Sequence, residues 1–402
     1  MNRKISDFLL NITTYFAAFV SVVVLGAILI YLFFQGFSSI NLDLIKGNYH
    51  ASSSLARIND DYHASDFADY NGDGYYSNNY GIAFSDTLNS QHQAVIEVTY
   101  VDSKSPFANL ISNEAQANND LITLKEGEII TSLYYLDSDS NQVFLPQVRM
   151  SNAANLVNVL DNEASSVSQI AYQNQGGGIR GAIIVTLLLI LISILIAMPI
   201  GIGAAIYLNE YAEKNKFNSL LRNGVETLTG VPSIIYGLMG ITVLYPLTQL
   251  FGANSTSVLL GALTLTIILL PTIIRSTEEA LIVVPQALRD GSLSLGATKT
   301  QTIFKVVLPS AVNGILTAVL LSIGRVIGES AALVYTTSTV INDFPSILGQ
   351  GSSLSLMIWA IMGSEQPDLG LASAISLLIL LIVITLNIIV KIISKRLTRA
   401  FI

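Results

Sequence analysis

Long runs of apolar residues recur along this 402-residue chain and restrict its fold more than any other feature. A helix needs about 20 such residues to cross the hydrocarbon core of a bilayer, and only 12% of the side chains are charged. Six runs have the required length: Asn11–Phe34, Ile179–Leu208, Gly224–Leu250, Ser257–Ile274, Val312–Ile341 and Leu371–Ile393. The sequence therefore predicts an all-α polytopic membrane protein with six transmembrane helices, and it excludes a soluble globular fold.

The first run follows Arg3 and Lys4 closely, which leaves two interpretations of the N-terminus. A cleaved signal peptide normally has an apolar segment of about 7 to 15 residues, and Asn11–Phe34 is longer than that. We therefore predict a retained first transmembrane helix within residues 1–40, with the signal peptide as the alternative. The third run differs in containing Gly230 and Pro232, which predict a break in its helix.

The positions of Lys and Arg predict the orientation, because short loops rich in these residues remain in the cytoplasm. If both termini are cytoplasmic, 13 of the 20 basic residues lie on that side. The sequence thus predicts a multi-pass protein of the cytoplasmic membrane with both termini in the cytoplasm. The long segment between the first two runs then lies outside this membrane.

That segment, residues 41–175, has a different composition from the rest of the chain. Residues 40–178 contain 17 acidic and 5 basic side chains. The absence of cysteine excludes disulfides. We therefore expect an inserted extracytoplasmic domain that folds without covalent cross-links.

Apolar periodicity predicts an α+β fold for this insert. The predicted elements are a strand at Ala94–Val101, a turn at Lys125–Gly127, a strand at Glu128–Leu136 and a helix in Ser151–Ile170. Ser38–Asn89 is poor in apolar residues, which leaves a disordered linker as the alternative for that part.

The insert also contains DYNGDGYYSNNY (Asp69–Tyr80), which begins like a calcium-binding loop. Its side-chain oxygens would come from Asp69, Asn71 and Asp73 and a carbonyl oxygen from Tyr75, with Gly74 at the sharp turn. Tyr80 stands where such loops have a bidentate Glu. The alternatives are therefore a bound calcium ion and a surface turn rich in Asn, Gly and Asp.

The stretch Pro285–Thr336 joins a polar, basic loop to an apolar run that contains two charges. Arg325 and Glu329 have i, i+4 spacing, which predicts one face of a helix. A charge in hydrocarbon costs about 2.5 to 3.5 kcal/mol on insertion scales, so such residues usually serve a transport pathway. A structural ion pair is the alternative. Gly324 and Gly328 form a G-x-x-x-G step, which predicts close packing against another helix.

The polar half of this stretch predicts two short helices joined by an elbow. Pro285–Leu295 can form a helix that ends near Gly296, Thr298–Val307 can form a second, and a new helix can begin at Pro309. The exposed elbow carries small residues, namely Gly291, Ser292, Gly296 and Ala297. It therefore predicts a docking site for another protein, with an unpartnered amphipathic loop as the alternative.

Several segments resemble the permeases of ABC importers. DGSLSLGATKTQTIFKVVLP is similar to their coupling loop, E-A-A-x-x-x-G followed by an I-x-L-P-like ending, except that Asp290, Gly291 and Ser292 replace Glu, Ala and Ala. GIGAAIYLNEYA, TGVPSIIYGLMG and LLSIGRVIGESAALVYTTS resemble the PstA type of subunit in bacterial phosphate importers. Ser330 and Ala332 depart from the Thr and Pro of that pattern. The resemblance is strong from Gly176 onward and does not cover the insert.

The resemblance implies a permease core in residues 176–402, with a cytoplasmic coupling loop at 280–310. It implies one half of a translocation pathway for inorganic phosphate, completed by a PstC-like permease subunit, two PstB-like ATPases and an external PstS-like phosphate-binding protein. The chain has no G-x-x-x-x-G-K-[ST] loop, so ATP and magnesium would be bound by the partner ATPase. We accordingly expect a transporter subunit that is not an enzyme and binds no cofactor apart from the calcium hypothesis.

The same resemblance carries roles onto individual residues. It implies substrate binding by Arg325 and Glu329, and coupling to the ATPase by Asp290, Gly291, Ser292, Leu295, Gly296 and Ala297. An Arg fork suits two phosphate oxygens, and Glu329 would accept a hydrogen bond from a protonated phosphate oxygen. The alternatives are another oxyanion, such as sulfate or molybdate, and a membrane receptor with an extracytoplasmic sensing domain.

Overall fold

The computed structural model describes residues 3–401 except 52, 60–66, 68–69, 89–93, 113–120, 175, 214 and 365–366. The chain divides into two compact units. One contains Met1–Lys46 and Ile179–Ile402 and is called the membrane unit below; the other contains Gly47–Gly178 and is called the sheet unit.

The α-helices are α1 (Arg3–Gly36), α2 (Leu42–Lys46), α3 (Gln147–Met150), α4 (Ala153–Asn158), α5 (Arg180–Ile206), α6 (Lys216–Thr229), α7 (Ser233–Met239), α8 (Tyr245–Gln249), α9 (Val258–Ile282), α10 (Gln286–Ser294), α11 (Lys299–Thr302), α12 (Leu308–Gly328), α13 (Leu333–Thr336), α14 (Leu354–Met362) and α15 (Leu369–Phe401). Single π-helical turns follow α4, α5, α7 and α11, at Val159–Glu163, Tyr207–Tyr211, Gly240–Leu244 and Ile303–Val307.

Five helical segments of the described chain are long and apolar enough to cross a membrane. A sixth is obtained if Lys216–Thr229 and Ser233–Gln249, which meet at an angle of 104°, are counted as one span. The break lies at Gly230 and Pro232, as predicted, because Pro232 has no N–H to continue the helical hydrogen bonds. The helical membrane architecture predicted from the apolar runs is thus confirmed, with five or six spans.

Helix α9 is the centre of the membrane unit. It packs against α5, α6 and α12. In the most apolar 18-residue window of α9, 67% of the residues are buried, whereas in the corresponding window of α1 no residue is buried. Helix α1 packs along α15 and leaves a row of large apolar side chains exposed. Exposed apolar side chains on such long helices are suited to contact with lipid.

The predicted C-terminal ends of the fourth and fifth spans are wrong. The fourth span does not end at Ile274, since α9 continues to Ile282. The fifth span does not reach Ile341, because α12 ends at Gly328 and Glu329 adopts an extended conformation, with φ −77° and ψ 123°. Apolarity alone does not mark these ends, because the chain stays largely apolar beyond Gly328 although the long helix stops there and only the short helix α13 follows.

The sheet unit contains a nine-stranded antiparallel sheet. Its strands are β1 (Ser53–Ile58), β2 (Tyr75–Ser77), β3 (Ile82–Leu88), β4 (Ala94–Val101), β5 (Leu110–Ser112), β6 (Leu121–Ile122), β7 (Ile129–Leu136), β8 (Gln142–Pro146) and β9 (Ser166–Gln173). The order is β2-β3-β4-β7-β9-β1-β5-β6, and β8 also pairs with β7. Its core is apolar, with Phe84, Phe107, Leu133 and Ile170 almost fully buried.

The two strands predicted in this unit are confirmed as β4 and β7. The predicted helix over Ser151–Ile170 is correct only as far as the π turn, which ends at Glu163; Ser166–Gln173 is strand β9. The disordered alternative for Ser38–Asn89 is wrong for β1, β2 and β3. Strands β1 and β9 pair with each other, so partners distant in sequence, rather than local apolar density, order both segments.

The sheet unit begins and ends at one place. The Gly178 N–H donates to Asn48 O and the Gly177 N–H to Tyr49 O, both at 2.9 Å. A Cβ atom added at Gly178 would overlap the Gly47 carbonyl group. The chain therefore leaves the unit beside the point where it enters, and removal of residues 48–177 would require only a short new peptide connection.

We predict that Gly237→Ala destabilises the membrane unit. An added Cβ at Gly237 in α7 would lie 2.7 Å from Ala332 O and 2.9 Å from Ala332 Cα, so backbone would have to move, at a cost of about 1–3 kcal/mol. Thermal unfolding in detergent should show a lower midpoint. Gly224→Ala in α6 is the control, because a Cβ atom added there would meet no atom within 4 Å in the described part of the chain. Equal midpoints for the two variants would contradict the prediction.

Candidate functional site

Arg325 lies in the last turn of α12, inside the membrane unit. Its Nη1 donates to Thr272 Oγ1 of α9 at 3.2 Å. Glu329 follows the end of the helix and is only 9% exposed. Its Oε1 accepts a hydrogen bond of 3.3 Å from Ala332 N. The two predicted substrate-binding residues therefore flank the end of α12 rather than sharing one face of a helix.

The structural ion pair considered as the alternative for these two residues is not formed. Because α12 ends at Gly328, the helical i, i+4 geometry does not extend to Glu329. Among the described residues, Arg325 forms no ion pair with any carboxylate. Its guanidinium, which has five N–H donors, thus donates one hydrogen bond within the described part of the chain, to Thr272.

Neighbouring helices fix the segment that follows Arg325. Ser355 Oγ of α14 donates to Glu329 O at 2.7 Å. Gly237 of α7 allows the backbone of Ala332 to approach closely. Helix α9 thus contacts Arg325, α14 contacts Glu329, and α7 packs against Ala332 shortly after it.

Gly324 and Gly328 border open space in the described part of the chain. A Cβ atom added at either position would meet no described atom within 4 Å. The packing of another helix against this G-x-x-x-G step stays a prediction.

The elbow predicted between Pro285 and Val307 has the expected local structure. Helix α10 ends at Ser294, and Gly296 has φ +82°, a conformation that favours glycine. Thr298 caps α11 in a capping box with Gln301. Leu295 at the tip is 91% exposed. An exposed apolar residue on a tightly turned elbow is suited to insertion into a partner protein.

The predicted coupling residues differ in their surroundings. Asp290, Gly291, Leu295 and Gly296 are exposed, whereas Ser292 and Ala297 are half-buried. Ser292 Oγ shares a hydrogen bond of 2.9 Å with Thr302 Oγ1. We call α10 the first arm of the elbow and α11 with the following π turn its second arm. The Ser292 hydroxyl thus connects the two arms, a role that the sequence did not indicate.

The second arm leads without a break into the membrane. Helix α12 has Pro309 in its first turn, as predicted, but it continues directly from α11 and the π turn Ile303–Val307. Lys299–Gly328 therefore forms one helical segment of 30 residues. The elbow and Arg325 lie near opposite ends of this segment.

Arg289 and Glu210 form a buried ion pair at the base of the elbow, and neither was predicted as a site residue. The Arg289 Nη2–Glu210 Oε1 distance is 2.8 Å, and the side chains are 12% and 9% exposed. Arg289 also donates from Nη1 to Val284 O at 2.7 Å and from Nη2 to Leu281 O at 2.9 Å. The available signal was their position, directly before the coupling motif and within NEYA, in two segments that carry the family resemblance.

Further ion pairs lie around the C-terminal end of α9. Arg222 of α6 contacts Glu278 at 3.3 Å, and Arg275 contacts both Glu226 and Glu279 at 3.2 Å. A cavity of about 670 Å³ is lined there by the ends of α5 and α9 and by the elbow, including Asn209, Glu210, Gln286, Arg289 and Lys299. Charged groups thus concentrate where the ends of α5 and α9 meet the elbow.

The predicted calcium loop is described only in part. Asp69 lies outside the described residues, Asn71 and Asp73 are exposed, and Tyr75 begins strand β2. Gly74 has φ +132°, consistent with the sharp turn predicted there. No group of three or more His, Asp or Glu side chains suited to a metal occurs among the described residues. Calcium binding by this loop stays a prediction.

Comparison with known proteins assigns the chain to a family. The family model described as "Binding-protein-dependent transport system inner membrane component" matches residues 197–399, just over half of the chain. This chain belongs to that family, so it is a multi-pass permease component of the cytoplasmic membrane and not an enzyme.

Curated relatives support a narrower assignment. Over 224 residues, the chain is 36% identical to the phosphate transport system permease protein PstA of Yersinia pestis, covering 55% of this chain and 74% of that protein. It is 37% identical over 181 residues to the probable ABC transporter permease protein YqgI of Bacillus subtilis, and the match covers 43% of this chain and 60% of that protein. A PstA homolog of Mycoplasma pneumoniae is 34% identical over 212 residues, covering 51% and 33%. These relatives support a PstA-type ABC permease.

Two solved structures are similar to part of this chain. The match to an inward-facing structure of the MetNI methionine ABC transporter covers 55% of this chain and 95% of the transporter chain, with 22% identity and a TM-score of 0.45. A bacterial alginate ABC transporter matches 54% and 78%, with 17% identity and a TM-score of 0.44.

We predict that Arg289→Ala lowers stability much more than Glu279→Gln. Removal of Arg289 leaves Glu210 buried without its partner, which costs about 3–5 kcal/mol. The Arg275–Glu279 pair is 53% and 64% exposed, and such pairs contribute at most about 1 kcal/mol. Chemical denaturation of the two variants in detergent tests this difference; a similar loss in both would show that burial does not set the strength of the Arg289 contact.

Proposed function

We propose that this chain is the permease subunit of an ATP-driven importer of inorganic phosphate. It would form half of the translocation pathway with a homologous PstC-like subunit. Two PstB-like ATPases would supply the energy, and a PstS-like protein would deliver phosphate from outside. The PstA-named relatives support phosphate as the substrate, and the exposed elbow supports docking of an ATPase.

The observation that carries this proposal is the set of hydrogen-bond partners of Arg325. A guanidinium in a membrane span carries a large desolvation cost unless it is compensated. Among the described residues Arg325 has a hydroxyl partner but no carboxylate, so its planar fork can still bind two oxygens of an anion. An arriving phosphate would supply the missing counter-charge, and its release would let the pathway reset.

Glu329 provides a basis for selecting phosphate. Its carboxylate accepts one hydrogen bond from Ala332 N, and a carboxylate has further acceptor capacity. A protonated phosphate oxygen can donate to it, whereas fully ionised sulfate has no proton to donate. The like charge of Glu329 would therefore reject sulfate more strongly than phosphate. Other oxyanions remain the alternative substrates, while a receptor role does not fit a transport family.

The orientation follows from the distribution of basic residues. We propose that both termini and the elbow face the cytoplasm and that the sheet unit lies outside the membrane. In that arrangement Asp290, Gly291, Leu295, Gly296 and the half-buried Ser292 and Ala297 would contact the ATPase. No cofactor is proposed for the chain itself, apart from calcium at Asp69, Asn71, Asp73 and Tyr75. Calorimetry on the full chain, with and without calcium, tests that site.

We predict that Arg325→Ala reduces phosphate uptake about 10- to 150-fold, since hydrogen bonds to a charged group contribute about 1.5–3 kcal/mol. Arg325→Lys should lie between the wild type and Arg325→Ala, because Lys retains the charge but not the fork. Uptake of radiolabelled phosphate into proteoliposomes measures the effect. Co-purification of the ATPase is the control for assembly, and an assembled Arg325→Ala complex with normal uptake would exclude Arg325 from the pathway.

Glu329→Gln tests selectivity with the same preparation. The amide can donate as well as accept, so we expect sulfate to compete with phosphate better than it does in the wild type. Competition by unlabelled sulfate and molybdate during phosphate uptake measures the change. If wild-type vesicles take up sulfate or molybdate in preference to phosphate, the assignment of phosphate as the substrate is wrong.

Removal of residues 48–177 tests the role of the sheet unit, because Gly47 and Gly178 are adjacent. We propose that this unit helps to dock the binding protein. The shortened chain should assemble with its ATPase, but the binding protein should stimulate ATP hydrolysis at least about tenfold less well, a typical coupling effect. Stimulation equal to that of the wild type would exclude an essential docking role.

A further inference from the structure

We infer that the buried Arg289–Glu210 ion pair is a strut that makes the coupling elbow and the ends of membrane helices α5 and α9 move together. The inference rests on the proposed function of the elbow as the contact for an ATPase. It assigns to Arg289 and Glu210 a positioning role in coupling, distinct from contact with either the ATPase or the substrate.

Three elements converge on the Arg289 guanidinium. Arg289 itself belongs to α10, the first arm of the elbow. Its hydrogen bonds are accepted by Leu281 O, in the last turn of α9, and by Val284 O, in the turn that follows this helix. Glu210 belongs to the π turn Tyr207–Tyr211, which continues directly from α5. One side chain therefore joins the first arm to the ends of two membrane helices.

The chemistry of the contact favours a fixed geometry. The last carbonyl groups of a helix lack intrahelical partners, and the negative end of the helix dipole attracts a cation. Arginine can satisfy several acceptors at once because its donors lie in one plane. Glu210 Oε1 is held in turn by Asn209 Nδ2 at 2.9 Å. The donors and acceptors are thus positioned from both sides of the ion pair.

The second arm of the elbow contacts the same π turn. Tyr211 Oη shares a hydrogen bond of 3.2 Å with Thr300 Oγ1, and Lys299 Nζ lies 5.0 Å from the centre of the Tyr211 ring. Both arms are therefore attached to Tyr207–Tyr211, the first through Glu210 and the second through Tyr211. A displacement of the elbow would be transmitted to α5 as well as along the continuous segment to α12.

Burial of both partners distinguishes this pair from the other ion pairs around the C-terminal end of α9. In the Arg222–Glu278 pair, Glu278 is 12% exposed but Arg222 is 44% exposed. Arg275 with Glu226 and Glu279 is more than half exposed on both sides of each contact, where water and salt weaken charge interactions. The Arg289–Glu210 pair is almost withdrawn from water. It is therefore the pair suited to transmit a force, and Glu279→Gln provides a matched control that removes an exposed partner from the same helix end.

The test uses the assembled complex in proteoliposomes and measures anion transported per ATP hydrolysed. Glu210→Gln keeps an acceptor but loses the charge, and Arg289→Lys keeps the charge but loses the fork. We expect both variants to assemble and to hydrolyse ATP while the transport-to-ATP ratio falls about tenfold, within the usual range of coupling between sites. Glu279→Gln should remain within about twofold of the wild type. An unchanged ratio in both strut variants overturns the inference.

A second experiment separates a strut from a contact that only stabilises the fold. The chain has no cysteine, so Glu210→Cys and Arg289→Cys can be combined in a complex with cysteine-free partners and bridged by a bifunctional thiol reagent. Bridging should restore the transport-to-ATP ratio that the unbridged double variant loses. If bridging restores thermal stability but leaves transport uncoupled, or blocks the ATPase cycle, the pair is not a strut.

The two proposals fail in different ways. If wild-type vesicles transport another oxyanion, the phosphate assignment fails, and the ratio is measured with that anion. If they transport no oxyanion, the readout is the stimulation of ATP hydrolysis by the binding protein. Stimulation that is restored by bridging the two cysteines supports the strut, and stimulation that bridging does not restore overturns it. If the wild type transports phosphate and all strut variants remain coupled, only the strut inference fails.

Discussion

The packing of α9 against its neighbours is the constraint on which the membrane unit depends. Helices in lipid gain little from the hydrophobic effect, so close packing at small residues holds them together. Gly201 of α5 faces Ile273, Gly240 faces Thr264, and Gly261 of α9 itself faces Thr337 and Leu333. Each of these glycines admits a neighbour where a Cβ atom would clash, and all three lie at contacts between α9 and the elements packed against it.

The polar chemistry of the membrane unit is arranged along this same helix. Toward its C-terminal half, α9 supplies Thr272 to Arg325 and the carbonyl of Leu281 to Arg289. Lys299–Gly328 forms a second connection, since it contains both the second arm of the elbow and Arg325. A movement of the elbow thus has two physical routes toward Arg325, one through the helix that carries it and one through the helix that contacts it.

The sheet unit has a separate core and its own organisation. Strand β9 lies between β7 and β1, and Asp161 joins the turn after α4 to the end of β2 by accepting a hydrogen bond of 2.5 Å from Ser77 Oγ. The unit also starts and ends at adjacent glycines, Gly47 and Gly178. An inserted unit of this kind can be accommodated between two transmembrane helices without separating them in space.

Local patterns were sufficient for the apolar helices, for β4 and β7, for the break at Pro232 and for the turn at Gly296, because each depends on nearby residues. They were insufficient for β9, whose partners lie far away in sequence, and for the end of α12, where apolarity continues after the helix stops. The sequence identified Arg325 and Glu329 as unusual charges in an apolar run. Only the tertiary structure decided that they are not an ion pair and that Arg289 and Glu210 are, since burial and pairing depend on helices brought together from distant parts of the chain.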